Sequence, residues 1–230
     1  FALAEVSPGM FVLDVGCGRG EIVRHCARMG AHAFGVDYAP VATAMTRNVI
    51  DETRREAPET GIVPGKMGVA RTDAKYLPFP DSFFDRALLF DVVEHLYPWE
   101  LQNALVEVRR VLKPDGILIV HTAPNRWYDR YAYPVVRLVR TLMGQGAKYP
   151  KNPRQFGVAV NEHVHVNEQD LFSMGRTLSR AGFRSRVWLD SPPQNRRENR
   201  LMAALRHAAF RWVPFAWFFE REVFAVARKK

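Results

Sequence analysis

The chain has 230 residues, 47% of them hydrophobic and 25% charged, and a formal net charge of +9. That length suits one α/β domain with a sizeable core and is short for two, and no apolar run approaches the roughly 20 residues that cross a bilayer. The charge is that of a solvated basic surface or of a protein with an anionic partner: phosphate, sugar acid, lipid surface or nucleic acid.

Phe11–Val15 is an apolar run ending in glycines, which reads as a buried parallel strand. A helix is predicted over 21–29, stopped by Gly30, and a second strand over 31–36. A second helix is predicted over 40–55, with Pro40 suited to its first turn, and a weak third strand over 66–71. Residues 78–82 read as a turn and Phe84–Phe90 as a strongly apolar fourth strand. Leu101, Leu105, Val108 and Leu112 stand at helical spacing within 98–112. Lys113-Pro114-Asp115-Gly116 is a predicted turn, because proline presets one dihedral and glycine permits a positive one, and 117–121 is the fifth strand.

The alternation then stops. Residues 126–162 are rich in aromatic, basic, Pro and Gly residues and are too long for a plain loop, so they read as a cap-like insertion over a site. A helix over 168–181 ends at Gly182, a strand covers 183–189, 191–199 is a polar loop, 201–219 is an apolar, helix-compatible stretch interrupted at Pro214, and 222–227 is the last strand. Alternating strands and helices imply one domain over 1–230, a mainly parallel sheet with helices on both faces. Ligands then bind beyond the carboxyl ends of the strands, at the switch point beside the first one. The two cysteines, Cys17 and Cys26, make no disulfide framework, so a reducing cytoplasm is the expected setting. The chain starts at Phe1, almost on a strand, which leaves an upstream segment to be expected.

The sharpest local signal is VLDVGCGRG at 12–20, in which a strand runs into Gly16-Cys17-Gly18-Arg19-Gly20 and then a helix. Glycines there let the backbone turn sharply and approach a ligand. Three features separate it from a nicotinamide-binding loop: the spacing is G-x-G-x-G, Asp14 stands two residues before the first glycine, and the second strand ends in Asp37. With GVDYAP (35–40), TDAKYLPFPDSFFD (72–85), LLFDVVEHL (88–96), RVLKPDGILIVHTAPN (110–125) and RAGF (180–183) following in order, the chain resembles the class I S-adenosylmethionine-dependent methyltransferases, especially their small-molecule group, from Pro8 to about Gly182. The resemblance implies a Rossmann-like seven-stranded sheet in the order 3-2-1-4-5-7-6 with the last strand antiparallel, and methyl transfer that yields S-adenosylhomocysteine. It implies that Gly16, Cys17, Gly18 and Gly20 pack against the cofactor, and that Asp14 helps orient its ammonium end. Asp37, followed by Tyr38, would accept the ribose hydroxyls, Asp73 and Ala74 would meet the adenine, and Phe90 and Asp91 would line the methionine end. The alternative for Asp37 is a capping acid before Pro40.

Asp91-Val92-Val93-Glu94-His95 follows the fourth strand directly, and His163 and His165 come after the fifth. Three readings stay open. His95, His163 or His165 is a general base for methylation of a hydroxyl. Alternatively, Asp91, Glu94, His95 and one of His163 or His165 hold a divalent metal, an arrangement similar to that of ubiquinone-pathway O-methyltransferases and small-RNA 3′-terminal methyltransferases, which carry glutamate in place of Asp91. In the third, Glu94 and His95 only cap and hydrogen-bond the following helix.

In the insertion, Trp127, Tyr128, Tyr131, Tyr133 and Tyr149 stand among Arg126, Arg130, Arg137, Arg140, Lys148, Lys151 and Arg154, against the single acid Asp129 before Glu162. This composition suits a sugar, a flat ring, a phosphate or an unstacked base, or else a cap whose aromatics are its own core. The end of the chain, from Leu201 to Phe219, is aromatic and flanked by arginines, so it either packs under the sheet or in a dimer interface, or meets a membrane surface or hydrophobic acceptor. The expected reaction is O-methylation of a small-molecule or glycan acceptor, lipid-linked or anionic. RNA methylation and non-catalytic cofactor binding are the alternatives.

Overall fold

The computed structural model describes residues 2–155, 164–191, 212 and 214–230. Its strands are β1 (Phe11–Val15), β2 (His32–Asp37), β3 (Met67–Arg71), β4 (Phe84–Phe90), β5 (Leu112–Thr122), β6 (Phe183–Asp190) and β7 (Glu222–Lys229). The helices are α1 (Glu21–Arg28), α2 (Pro40–Thr60), α3 (Pro98–Val111), α4 (Tyr133–Leu142), α5 (Leu171–Arg180) and α6 (Phe215–Phe219). The strands form one sheet in the order β3-β2-β1-β4-β5-β7-β6. β1 to β5 pair in parallel, and β7 runs antiparallel to both β5 and β6, as the resemblance implies.

Both faces of the sheet are covered, which is why its strands are almost continuously apolar. Side chains alternate between the faces. Val12, Leu88 and Ile119 pack with Val23, Cys26 and Ala27 of α1 and Ile50 of α2. Leu13, Val15, Leu89 and Val120 pack with Leu101, Leu105 and Val108 of α3 and Met174 and Leu178 of α5.

Some elements differ from the sequence expectation. The predicted turn at 113–116 lies within one long strand, β5. Phe84 pairs with Leu112 but Arg86 pairs with Ile117, so β5 advances further than β4 there and the four turn residues bulge out of the ladder. α2 runs through Pro58 and stops only at Gly61, whose φ of +66° is a left-handed stop. α5 begins after Asp170, not at Glu168, because the Asp170 carboxylate accepts hydrogen bonds from the N–H groups of Phe172 (2.9 Å) and Ser173 (2.8 Å).

The described part of the insertion is folded and largely helical. A π-helical turn, Tyr128–Ala132, leads into α4, followed by short turns at Gly146–Lys148 and Pro153–Gln155. Buried Asn125 clasps its base, donating from Nδ2 to the carbonyls of Trp217 and Glu220, both at 2.9 Å. Residues 156–163, including the predicted site residue His163, and most of the apolar stretch at 201–213 lie outside the described residues.

Candidate active site

β1 delivers its chain to the switch point between β2 and β4. Gly16 has φ +79°, and a Cβ there would lie 2.3 Å from Cγ2 of Val92, in the turn after β4. Only a glycine lets those two strand ends touch. The N–H groups of Gly16 and Cys17 both donate to the Val36 carbonyl, at 2.8 and 3.0 Å, which fixes the loop to β2. Gly20, at the start of α1, is packed against Thr46 of α2, where a Cβ would lie 2.9 Å from Cγ2. The Thr46 hydroxyl donates to the Gly18 carbonyl at 3.0 Å and sits 3.4 Å from the Cys17 sulfur. Burial pushes the Cys17 thiol up to about 11, so it is a packing group rather than a nucleophile. Thr46 was not singled out from the sequence, though its stripe was readable: Thr43, Thr46, Ile50 and Thr53 are all buried and recur at helical spacing.

Two acids meet this loop. Asp14 is buried in β1, and its Oδ2 atom makes no hydrogen bond among the described residues. Burial first, and the charge of Asp37 second, push its carboxyl up to about 7. Asp37 accepts the Gly18 N–H at 3.1 Å on Oδ2 and the Ala39 N–H at 2.9 Å on Oδ1. It therefore ties the loop to the start of α2, and a carboxylate with about four lone-pair sites still has room for two further donors. Tyr38 beside it is 76% exposed.

Asp73, after β3, is held by Lys75, which reaches it through its backbone N–H (2.9 Å) and its ammonium (2.8 Å). The same ammonium bonds Glu100 at 2.8 Å, and Glu100 accepts the Tyr97 N–H at the start of α3. Burial works against the Asp73 charge, but Lys75 outweighs it and holds the carboxyl below its ordinary value. Ala74 is half-buried against the core.

At the end of β4, half-buried Phe90 stands edge-on to His121, with ring centres 6.3 Å apart. Asp91 has φ +56°, a left-handed conformation that aspartate tolerates better than most residues. Its carboxylate lies 2.9 Å from His121 Nδ1, and His121 Nε2 lies 3.2 Å from Glu222 at the start of β7. Burial opposes the imidazolium, but the two carboxylates prevail and raise His121 above its ordinary value. The sequence placed His121 at a strand end and gave it no role.

The turn Val93–His95 follows. Glu94 is 2% exposed and accepts the Thr122 hydroxyl at 2.6 Å. Burial raises its carboxyl. The Glu94 carbonyl accepts the N–H groups of Val166 (2.9 Å) and Asn167 (3.1 Å), so this residue joins three segments. His95 Nδ1 lies 3.2 Å from the Val164 carbonyl, and its ring is 5.0 Å from that of His165. One ligand-type atom from each of Glu94, His95 and His165 falls within 4.8 Å of the others. The structure thus brings Glu94, His95 and His165 together and gives Asp91 to His121. The four-ligand set imagined from sequence is divided between two clusters.

The aromatic residues of the cap mostly pack on one another. Trp127 stacks on Phe218 at 5.4 Å and contacts Phe172 at 5.5 Å. Tyr133 is buried, its hydroxyl donating to the Pro150 carbonyl at 2.8 Å. Tyr131 meets Phe218 edge-on and remains 49% exposed.

The family described as "Methyltransferase domain" matches residues 13–120. The chain is 27% identical over 188 residues to the ubiquinone/menaquinone biosynthesis C-methyltransferase UbiE of Teredinibacter turnerae, covering 79% of this chain and 70% of that protein. It is 29% identical over 192 residues to the demethylmenaquinone methyltransferase of Tropheryma whipplei, covering 80% and 70%. The crystal structure of a SAM-dependent methyltransferase from Methanosarcina mazei shares the fold, with a TM-score of 0.63 at 18% identity over 97% of this chain and 93% of that one.

Proposed function

We propose that this chain, which belongs to the class I S-adenosylmethionine-dependent methyltransferases, methylates a small hydroxylated ring at a carbon beside the hydroxyl. It is an enzyme whose cofactor, S-adenosylmethionine, supplies an already activated methyl group. The residues present fit that cofactor. A Cβ at Gly18 would meet only the Gly16 carbonyl oxygen, at 4.0 Å, the buried Oδ2 atom of Asp14 lacks a partner among the described residues, and Asp37 keeps two acceptor sites. In this reading Asp14 faces the cationic end, Asp37 the ribose, Asp73 and Ala74 the adenine, and Phe90 and Asp91 the methionine end.

The observation that carries the acceptor class is the pairing of His95 with His165 beside Glu94. A carbonyl can only accept, so His95 Nδ1 donates to Val164 and Nε2 carries the lone pair. Imidazole is the usual proton acceptor near neutral pH. Taking the proton of a ring hydroxyl leaves charge on the oxygen and on the adjacent ring carbon, which makes either one nucleophilic. The C-methyltransferase name of the Teredinibacter turnerae relative favours carbon. O-methylation, expected from sequence alone, uses the same base and differs only in the product. Glu94, buried and bonded to Thr122, positions His95 and does not itself take the proton. RNA is disfavoured, because Trp127 and Tyr133 are engaged within the cap and offer no stacking platform.

The test is S-adenosylhomocysteine release with hydroxylated quinols, with glycans and small metabolites, and with total RNA, using a cofactor labelled at the methyl carbon. Turnover with a quinol and a label on a ring carbon is the expected result. A label on oxygen moves the reading to O-methylation, and turnover with glycan or RNA alone overturns it. A chelator arm reads the metal alternative directly, and unchanged turnover is expected there.

A further inference from the structure

Val135, Leu138, Val139 and Leu142 of α4 are 52%, 60%, 41% and 80% exposed. They recur at the three- and four-residue spacing of one helix face, so α4 turns its apolar stripe outward instead of into the core. Val135 also lines an open cavity of about 570 Å³, walled by Trp127, Tyr131, Ala132, Phe218 and Phe219. The stripe and the aromatic cavity are therefore continuous. Arg130, beside Tyr131, and Lys148 and Lys151, in the segment after α4, are exposed, and Asp129 is the only acid between Arg126 and Arg154. Arg137 and Arg140 of α4 lean back on the following segment, through the Tyr149 carbonyl and the Gln145 side chain.

We infer that α4 and the adjoining aromatic cavity dock on an anionic lipid bilayer, lying in its interface. Three observations select this occupant. The face is apolar, and the segment that carries it, 126–154, holds seven basic residues against one acid, which matches acyl chains beneath anionic headgroups. The whole chain carries +9, so the attraction is reinforced at longer range. And among the described residues no helix is long and apolar enough to cross a membrane, so α4 lies on the surface and does not span it. Tyr131, 49% exposed, suits the headgroup level, where one end of an aromatic side chain is wet and the other apolar. The inference stands apart from the acceptor, because docking is measured without turnover.

The experiment is flotation of the full chain with vesicles of phosphatidylcholine alone and of phosphatidylcholine with phosphatidylglycerol. The chain should partition onto the anionic vesicles and leave them as salt rises. L138E/L142E, at exposed positions, should lower that partition about tenfold or more with melting temperature and S-adenosylhomocysteine affinity unchanged. K148E/K151E should remove the preference for anionic over neutral vesicles. Equal partition of wild type and L138E/L142E overturns the inference, as does no binding to anionic vesicles. A dimer in sedimentation velocity that L138E/L142E dissolves, with no lipid binding, would assign the face to a second copy of the chain instead.

Discussion

His121 is held between two carboxylates, with Nδ1 2.9 Å from Asp91 and Nε2 3.2 Å from Glu222, so one imidazole links the ends of β4, β5 and β7. Its ring is fully used in these bonds, so it cannot act as a base while both persist. Its charge instead holds Asp91 in a left-handed turn at the mouth of the site. The strain of such a turn, about 1–3 kcal/mol, must be offset by surrounding contacts.

The pH dependence of stability follows. His121 titrates above its ordinary 6.5 in the folded chain, so its stabilising charge is fully present below about 6.5 and is lost as pH rises through the higher folded value. H121N should flatten that loss in thermal melts taken between about pH 5 and 9. An unaltered profile in H121N would mean that the pair contributes nothing to stability.

Asp14 carries the same sign in a more acidic window. Its carboxyl titrates at about 7 when folded against 3.8 ordinarily, so between those values the folded chain holds a proton that the unfolded chain has released. Stability from this group therefore falls as pH rises from about 4 to about 7 and levels off above. A cationic ligand end placed beside it would favour the carboxylate, so cofactor binding below pH 7 should release up to about one proton. Calorimetry in two buffers of different ionisation enthalpy measures this, and D14N should abolish the release. Release that persists in D14N places the titrating group elsewhere.

D37A should weaken cofactor affinity by about an order of magnitude or more, the loss of a pair of charge-assisted bonds. Part of the effect would come through the loop, since Asp37 also holds the Gly18 N–H. D37N keeps an acceptor and should fall between the two. Wild-type affinity in D37A, read by calorimetry, removes Asp37 from the cofactor site.

H95A should keep cofactor affinity and lower turnover by about a hundredfold or more, the usual range for a lost general base. The rate of H95A should also lose any pH dependence that belongs to this imidazole. Full turnover across the pH range would exclude His95 from the chemistry.

Much of the framework was legible in the linear chain. The glycine loop and the acids at Asp14 and Asp37 announce themselves locally, because a strand, a tight turn and a helix start are all set within about ten residues of one another. The sheet order followed from resemblance and matches the structure. Element ends were less legible: Gly61 rather than a change in polarity stops α2, and a bulge absorbs the expected turn before the last part of β5. His121 and Glu222 are 101 residues apart, and only the placing of β7 beside β5 brings them to one point. Thr122 reaches Glu94, across 28 residues, because β5 lies beside β4. The outward face of α4 was equally hidden, since an apolar stripe at helical spacing ordinarily means core. The sequence by itself determined the alternation of strands and helices, the glycine loop and the acids that flank it, because these depend on local backbone geometry and on burial period. The tertiary structure alone decided which histidine meets which carboxylate and which apolar face stays open, because those depend on strand neighbours distant in the chain.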